Sequence, residues 1–387
     1  MKSVLLLTNI LTPYRVYFYE LLYKEFMSRN WDFNVLVTAE TEPNRNWKYD
    51  DLKTNFTHLL KGHILTLSNN IFIHVNTGVK KFVVKKHPQI VISAGTYLYP
   101  ALWSLISNKK KNGYKLFYWN ETHSHEERNY AFWKLWIREK IRKYIFKQFD
   151  GFCYAGEWSL DLIEQYCSKN ALKIFLPNVV NNTFYNSSLN ITDLVNTETR
   201  QRYDIDDTKC VLLCPARLTA VKGQIEFLKL FKQYDNRDKF QILFVGDGDK
   251  EEEIKTIIES DHEWNIKILG YKNQNEMLKL YSICDYVLLP SFSDPNPLTC
   301  IEALWCGKPL LLSNHVGNSP EVIREGKNGY IFSLEAQDSL YEVLSKIEQN
   351  NSAWYIEAKM ISLEIANSTY KSCDVAKRIV NEIINIL

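Results

Sequence analysis

The chain has 387 residues, enough for two domains with separate cores. Hydrophobic residues make up 45% and charged residues 24%, ordinary values that exclude a disordered or collagen-like chain. The net charge of +2 hides an uneven spread, with 25 Lys and Arg against 15 Asp and Glu in residues 1–180, and 22 against 30 in the remainder. A basic front half suggests that this part faces something anionic. No run of about 18 apolar residues marks a membrane span. The eight cysteines have no C-x-x-C pair. Cys153, Cys214, Cys284 and Cys306 stand in apolar runs, as small core residues do, and a reduced cytoplasmic protein is expected.

In chain order, "MKSVLLLTNI" carries an apolar run too short for a secretory signal and passes straight into strand–turn–helix chemistry. Thr12 and Pro13 suit the N-cap and first position of a helix. Arg15, a cation in that first turn, opposes the helix dipole and therefore suggests an anion nearby. The runs "SVLLLT", "FNVLVT", "QIVISA", "KLFYWN" and "GFCYAG" predict continuous apolar strands alternating with helices. Gly95 and Thr96 either bring backbone close to a ligand or make a plain turn. "FYWNETHSHEERN" is expected to end a strand with Asn120, Glu121, Thr122, His123 and His125 exposed.

The segment 132–149, "FWKLWIREKIRKYIFKQF", joins Trp133, Trp136, Ile137, Tyr144 and Phe146 to six Lys or Arg and a single acid, Glu139. A basic amphipathic helix with aromatics suits an anionic membrane surface; core packing with a solvated basic face is the alternative. Nucleic acid also attracts basic charge, but no recognised nucleic-acid module accompanies it.

The stretch that follows Leu176, "PNVVNNTFYNSSLNITDLVNTETRQ", is polar and turn-rich and reads as an interdomain connection. Behind it, "KCVLLC", "FQILFVG", "NIKILG", "DYVLLP" and "KPLLLS" alternate with helices beginning near Val221, Lys250, Gln274 and Pro297. The plan is α/β throughout: domains at 1–180 and 206–365, a connection at 181–205, and a C-terminal helix at 366–387 free to pack back on the first domain. Ligands of such sheets bind at the carboxyl ends of strands.

At those ends, Arg217 follows a strand and Lys222 opens a helix, a placement that suits an anion, or else a solvated loop. Gly246 and Gly248 in "VGDGD" form a turn, and a lone G-x-G is weak evidence of a phosphate loop. In "SFSDPNPLTCIEALWCGKP", Glu302 sits on a helix that is apolar almost all round, so it needs hydrogen-bonding partners. Asp294 stands eight positions before it.

Together "RLTAVKG", "VGDGD", "PSFSDPNPLTCIEALWCGKPLLLSNHVGNSPEVI" and "EGKNGYIF" resemble the donor-binding half of glycosyltransferase family 4, in order over about residues 210–335. "LTPYR" and "LPNVVNNTFY" resemble its bacterial surface-polysaccharide members more loosely. The resemblance implies a GT-B fold, two Rossmann-like doubly wound domains facing across a cleft, and a retaining, metal-independent transferase with no cofactor. It assigns the second acid of the family signature, Glu302, to the ribose hydroxyls of a nucleoside-diphosphate sugar, and the first, Asp294, to the donor sugar. Asp is one methylene shorter than the usual Glu, and Pro297, expected at the first helical position after an Asn296 cap, replaces a usual Gly. Arg217, Lys222 and the helix start at Leu298 and Thr299 would stabilise the leaving diphosphate, with Gly246 and Arg15 as further donor contacts. His123 is the expected contact to the transferred sugar, with His125 and Glu121 as alternates.

The expected activity is a cytoplasmic hexosyl transfer, peripheral at the inner membrane face, onto a glycan or undecaprenyl-linked acceptor in O-antigen or capsule synthesis. A nucleotide-sugar epimerase on the same scaffold and a non-catalytic sugar-nucleotide-binding subunit are the competing readings.

Overall fold

The computed structural model describes residues 1–43, 47–68, 71–127, 131–260 and 265–387. Two compact units divide the chain: Met1–Val179 with Ser372–Leu387, and Val180–Lys371.

The first unit is built on a parallel sheet of seven strands: β1 (Lys2–Thr8), β2 (Trp31–Val37), β3 (Thr57–Leu59), β6 (Ile90–Ala94), β7 (Lys115–Asn120), β8 (Gly151–Tyr154) and β9 (Leu172–Phe175). Their order is β3-β2-β1-β6-β7-β8-β9. A separate antiparallel hairpin, β4 (Gly62–Ser68) with β5 (Ile71–Asn76), is inserted between β3 and β6. The alternation of side chains along β1 decides the layers. Val4 and Leu6 pack into one core, Leu5 and Leu7 into the other, so the strand is buried on both faces and reads as one apolar run.

The second unit repeats the plan with β10 (Cys210–Pro215), β11 (Phe240–Val245), β12 (Ile266–Ile268), β13 (Tyr286–Leu289), β14 (Leu310–Ser313) and β15 (Gly329–Phe332), all parallel. Their order, β12-β11-β10-β13-β14-β15, is that of a dinucleotide-binding doubly wound sheet. Val211 and Leu213 face one core and Leu212 and Cys214 the other. The order reverses between β10 and β13, and the carboxyl ends there form the switch point at which such sheets bind ligands.

Two expectations about domain organisation change. The stretch 181–205 is not a free connection. It forms the short helices Asn182–Asn186 and Asp193–Arg202, and Tyr185 and Ile205 join the second unit's core. Two of its polar residues are caps: Asn181 and Thr192 side chains accept from the N–H groups of Phe184 and Val195. The return to the first unit falls at Ser372 rather than 366. The helix Ser372–Ile384 buries Val375, Ala376, Ile379, Val380 and Ile383 against Val4, Phe26 and Phe33. The hairpin, β3, β9 and β15 were not foreseen. β3, β9 and β15 are short, at three or four residues, and β9 shows the exposed positions typical of an edge.

Ile379 is 1% exposed inside this core. Ile379→Ala should therefore cost about 2–5 kcal/mol, read as a lowered urea midpoint for the transition of the first unit, with little change in the second.

Candidate functional site

The residues that follow β10 and β13 meet at the switch point of the second sheet. After β10 the chain makes a single turn at Ala220–Lys222, then Gly223 with φ +68°, then the helix Gln224–Phe231. A Cβ on Gly223 would lie 2.0 Å from the Pro290 carbonyl oxygen, so only glycine lets this turn touch the end of β13. The Phe292 N–H donates to the Val221 carbonyl at 2.9 Å and joins the two loops.

That junction sets the first acid. Lys222 Nζ forms an ion pair with Asp294 Oδ2, both side chains being largely buried at 17% and 13% exposure. The Asp294 carbonyl accepts from the Gly317 N–H at 2.8 Å, so the aspartate is held from backbone and side chain alike. Lys222, expected to await an anion, already has one from its own chain. Arg217 is exposed just beyond β10, and its carbonyl accepts from Gln224 Nε2 at 3.0 Å.

Gly246 and Gly248 are explained by packing. A Cβ on Gly246 would meet the Ala216 carbonyl oxygen at 2.3 Å and one on Gly248 the Leu218 carbonyl oxygen at 2.1 Å. The turn after β11 is thereby pressed against the Arg217 loop, where the Leu218 N–H donates to the Asp247 carbonyl at 2.8 Å.

The helix that carries Glu302 runs Leu298–Trp305, so Pro297 is its N-cap, with ψ 125°, rather than its first residue. Asn318 Nδ2 donates to the Pro297 carbonyl at 3.1 Å and fixes the start. Leu298 packs on the core, while Thr299 Oγ1 donates to the Pro215 carbonyl at 3.3 Å and ties the first turn to β10. Both side chains are used internally; what the turn offers a ligand is its N–H groups.

Glu302 does not lack partners. Tyr185 Oη donates to Oε1 and Tyr281 Oη to Oε2, each at 2.7 Å. Burial pushes the carboxyl above its ordinary range, and the two phenol bonds pull it back in part. The diol invoked from sequence is thus not needed to satisfy this carboxylate. Tyr185 and Tyr281 escaped sequence reasoning. Tyr185 lies within "LPNVVNNTFY", a recognised stretch, but nothing local tells that its hydroxyl reaches a residue 117 positions away.

In the first unit, Arg15 on the helix Pro13–Ser28 pairs with Glu121 beyond β7 and lies over the Trp119 ring, 4.0 Å from its centroid. Thr12 is the N-cap and Pro13 the first residue, as read from sequence, but the Thr12 side chain makes no capping bond. Burial alone would lower the Arg15 pKa; the Glu121 carboxylate, with Tyr14 and Tyr19, more than offsets it and the guanidinium stays charged. The anion sought for Arg15 is therefore a protein carboxylate. His123 is 2% exposed, not on the surface, and its ring meets His125 at 5.7 Å and Trp158 at 5.1 Å. Asn120 is buried too, its Nδ2 donating to the Thr122 carbonyl at 2.8 Å. Glu121 and His125 remain partly exposed. Gly95 takes φ +101°, and its carbonyl accepts from Tyr118 Oη at 2.6 Å.

The helix Phe132–Ile145 inverts the usual burial. Phe132 is 83%, Trp133 60%, Trp136 54% and Tyr144 60% exposed, whereas Arg142 is buried over the Tyr166 ring. Trp103 of the helix Pro100–Asn112 stacks on Tyr144 at 6.3 Å and extends the aromatic surface. Lys134 and Lys140 lie over the rings of Trp133 and Trp136.

Residues 195–362 match the family model described as Glycosyl transferases group 1. The chain is 30% identical over 151 residues to the amylovoran biosynthesis glycosyltransferase AmsK of Erwinia amylovora, covering 36% of each. It is 26% identical over 197 residues to the lipopolysaccharide 1,2-N-acetylglucosaminetransferase of Salmonella typhimurium, covering 48% of this chain and 51% of that one. The matched part spans about a third to a half of the length of these curated relatives. The structure of Anabaena Alr3699/HepE in complex with UDP superposes with a TM-score of 0.75 at 18% identity, covering 100% of both chains. The fold is GT-B, with the family match lying over the second unit.

Proposed function

We propose that the protein is a retaining glycosyltransferase that moves a hexosyl unit from a nucleoside-diphosphate sugar to a glycan acceptor in bacterial polysaccharide synthesis. The observation that carries this reading is the convergence of Asp294, Lys222 and the Leu298–Trp305 helix at the switch point, with Glu302 one turn along that helix. A doubly wound sheet binds nucleotides there, and the matched family and the named functions of the similar proteins agree with that chemistry.

In this reading Glu302 accepts from the ribose hydroxyls. Arg217, Lys222 and the first helical N–H groups, at Leu298 and Thr299, meet charge that develops on the departing diphosphate. Asp294, steered by Lys222, faces the sugar. The acceptor oxygen forms its bond to the anomeric carbon on the face from which the bond to the phosphate oxygen breaks. The nucleoside diphosphate leaves with that electron pair, and one of its oxygens takes the acceptor proton. Configuration is retained, and neither a protein nucleophile nor a metal is required. His123 acts from beneath His125 and Trp158, with Glu121, His125 and Arg15 at the same strand ends of the first unit.

Three sets of measurements test the scheme. Glu302→Ala should weaken nucleoside-diphosphate binding by one or two charge-assisted hydrogen bonds, about 1.5–3 kcal/mol each; unchanged affinity by calorimetry removes the ribose assignment. Arg217→Ala and Lys222→Ala should each lower turnover strongly, while EDTA leaves the wild type active. Loss of activity in EDTA, restored by manganese or magnesium, overturns the metal-free reaction. A panel of nucleotide sugars read by mass spectrometry should show slow donor hydrolysis; epimerised donor, or binding without turnover, would replace transfer by the corresponding alternative.

The acceptor we propose is lipid-linked, reached from an anionic leaflet. The exposed Phe132, Trp133, Trp136 and Tyr144 stand among Lys134, Lys140, Lys143 and Lys147, the pairing of apolar insertion with basic charge that interfacial helices use. Each cation near such a surface contributes about 1 kcal/mol. Co-sedimentation with anionic but not neutral vesicles should weaken as salt rises. Arg142 is buried, so the informative variant is Lys134→Glu, Lys140→Glu, Lys147→Glu. It should release the protein from vesicles and keep donor hydrolysis; vesicle binding equal to wild type overturns the membrane reading.

A further inference from the structure

We infer that Tyr185 and Tyr281 are positioning residues for the nucleotide: their two hydroxyls orient the Glu302 carboxylate and leave one acceptor site on each of its oxygens for a vicinal diol. The inference rests on the assignment of Glu302 to ribose. An ionised carboxylate has about four lone-pair sites, two on each oxygen. Here each oxygen takes one phenol at 2.7 Å, and the remaining two sites match the two O–H donors of a ribose. A carboxylate held by one donor alone could rotate away from a diol; one held through both oxygens cannot without breaking a bond.

The two phenols come from separate elements, Tyr185 from the helix Asn182–Asn186 and Tyr281 from Gln274–Ile283, and their rings meet edge-to-face at 6.3 Å and 75°. Tyr185 is 5% exposed and Tyr281 is fully buried, so neither hydroxyl has bulk water to turn to. Burial, followed by the Glu302 charge, pushes both phenols well above their ordinary range, which keeps them as donors rather than phenolates. Cys306 Sγ also lies against the Tyr185 carbonyl at 3.5 Å, so the same helix that carries Glu302 steadies the backbone of its partner.

Removing a hydroxyl has two consequences. The carboxylate loses an anchor, and it loses a bond that favours its charged form. Because burial already pushes Glu302 up, fewer donors push it further, and the ionised acceptor disappears at a higher pH. Nucleotide affinity should then begin to fall at a higher pH as the solution is acidified.

The test uses the full chain with UDP and GDP, each compared with its 2′,3′-dideoxy counterpart, by calorimetry between pH 5.5 and 8.5. The wild type should prefer the ribose form, and Glu302→Ala should abolish the preference. Tyr185→Phe and Tyr281→Phe keep the rings and should each reduce the preference about three- to tenfold. In the double variant the acidic fall in ribonucleotide affinity should move to higher pH, with the dideoxy profile unmoved. If Glu302→Ala abolishes the preference while both Phe variants keep it and its pH profile, the phenols only fill the core and the inference fails. If Glu302→Ala itself keeps the preference, the ribose assignment fails first.

Discussion

A carboxylate on an apolar helix has to be hydrogen-bonded, and that requirement organises the second unit. Glu302 draws one phenol from the helix before β13 and another from the polar stretch that leads into the unit. The stretch 181–205 is bound into the core rather than left as a tether: Tyr185 and Ile205 pack within it, and the Tyr185 hydroxyl reaches Glu302. The same helix is fixed at its start through Pro297, Thr299 and Asn318. Its first turn and its acid are thus held relative to β10, the strand at which the sheet order reverses.

Cations at strand and helix ends follow one rule in both units. Lys222 is answered by Asp294 and Arg15 by Glu121, each pair joining residues far apart in sequence. Buried charge of this kind is stable only when paired, and breaking one partner costs more than the pair contributes. An unpaired-looking basic residue in a helical first turn is thus not by itself a sign of a ligand anion. In the second unit, Arg217 stands exposed just beyond β10.

The helix Phe132–Ile145 shows where residue type misleads about burial. Its pattern admits two readings, an interfacial helix with outward aromatics or core packing with a solvated basic face. The structure buries Arg142 beside Tyr166 and leaves Trp133 and Trp136 outward with lysines over their rings. Long basic stems cover aromatic surface while their charged ends stay in water. The result is a surface that is apolar and cationic at once.

Much of this architecture was legible in the chain. Apolar runs such as "KCVLLC" and "DYVLLP" can be satisfied only by strands buried on both faces, and those strands form the two parallel sheets. The spacing of Asp294 and Glu302, and their place after a strand, were equally visible because they are local. The three- and four-residue strands β3, β9 and β15 were not, since short segments carry too few residues to set a period, and neither the β4–β5 hairpin nor the caps at Asn181 and Thr192 was read from the pattern. Nor could sequence tell that His123 is covered by His125 and Trp158, or that Lys222 is already paired. Hydrophobic periodicity is a property of neighbours along the chain, whereas partners of buried charge are chosen across the fold. Local pattern along the chain sets the strands, the helices and the chemical groups at their ends; which of those groups satisfy one another depends on residues far apart in sequence, as Tyr185 and Tyr281 meet Glu302.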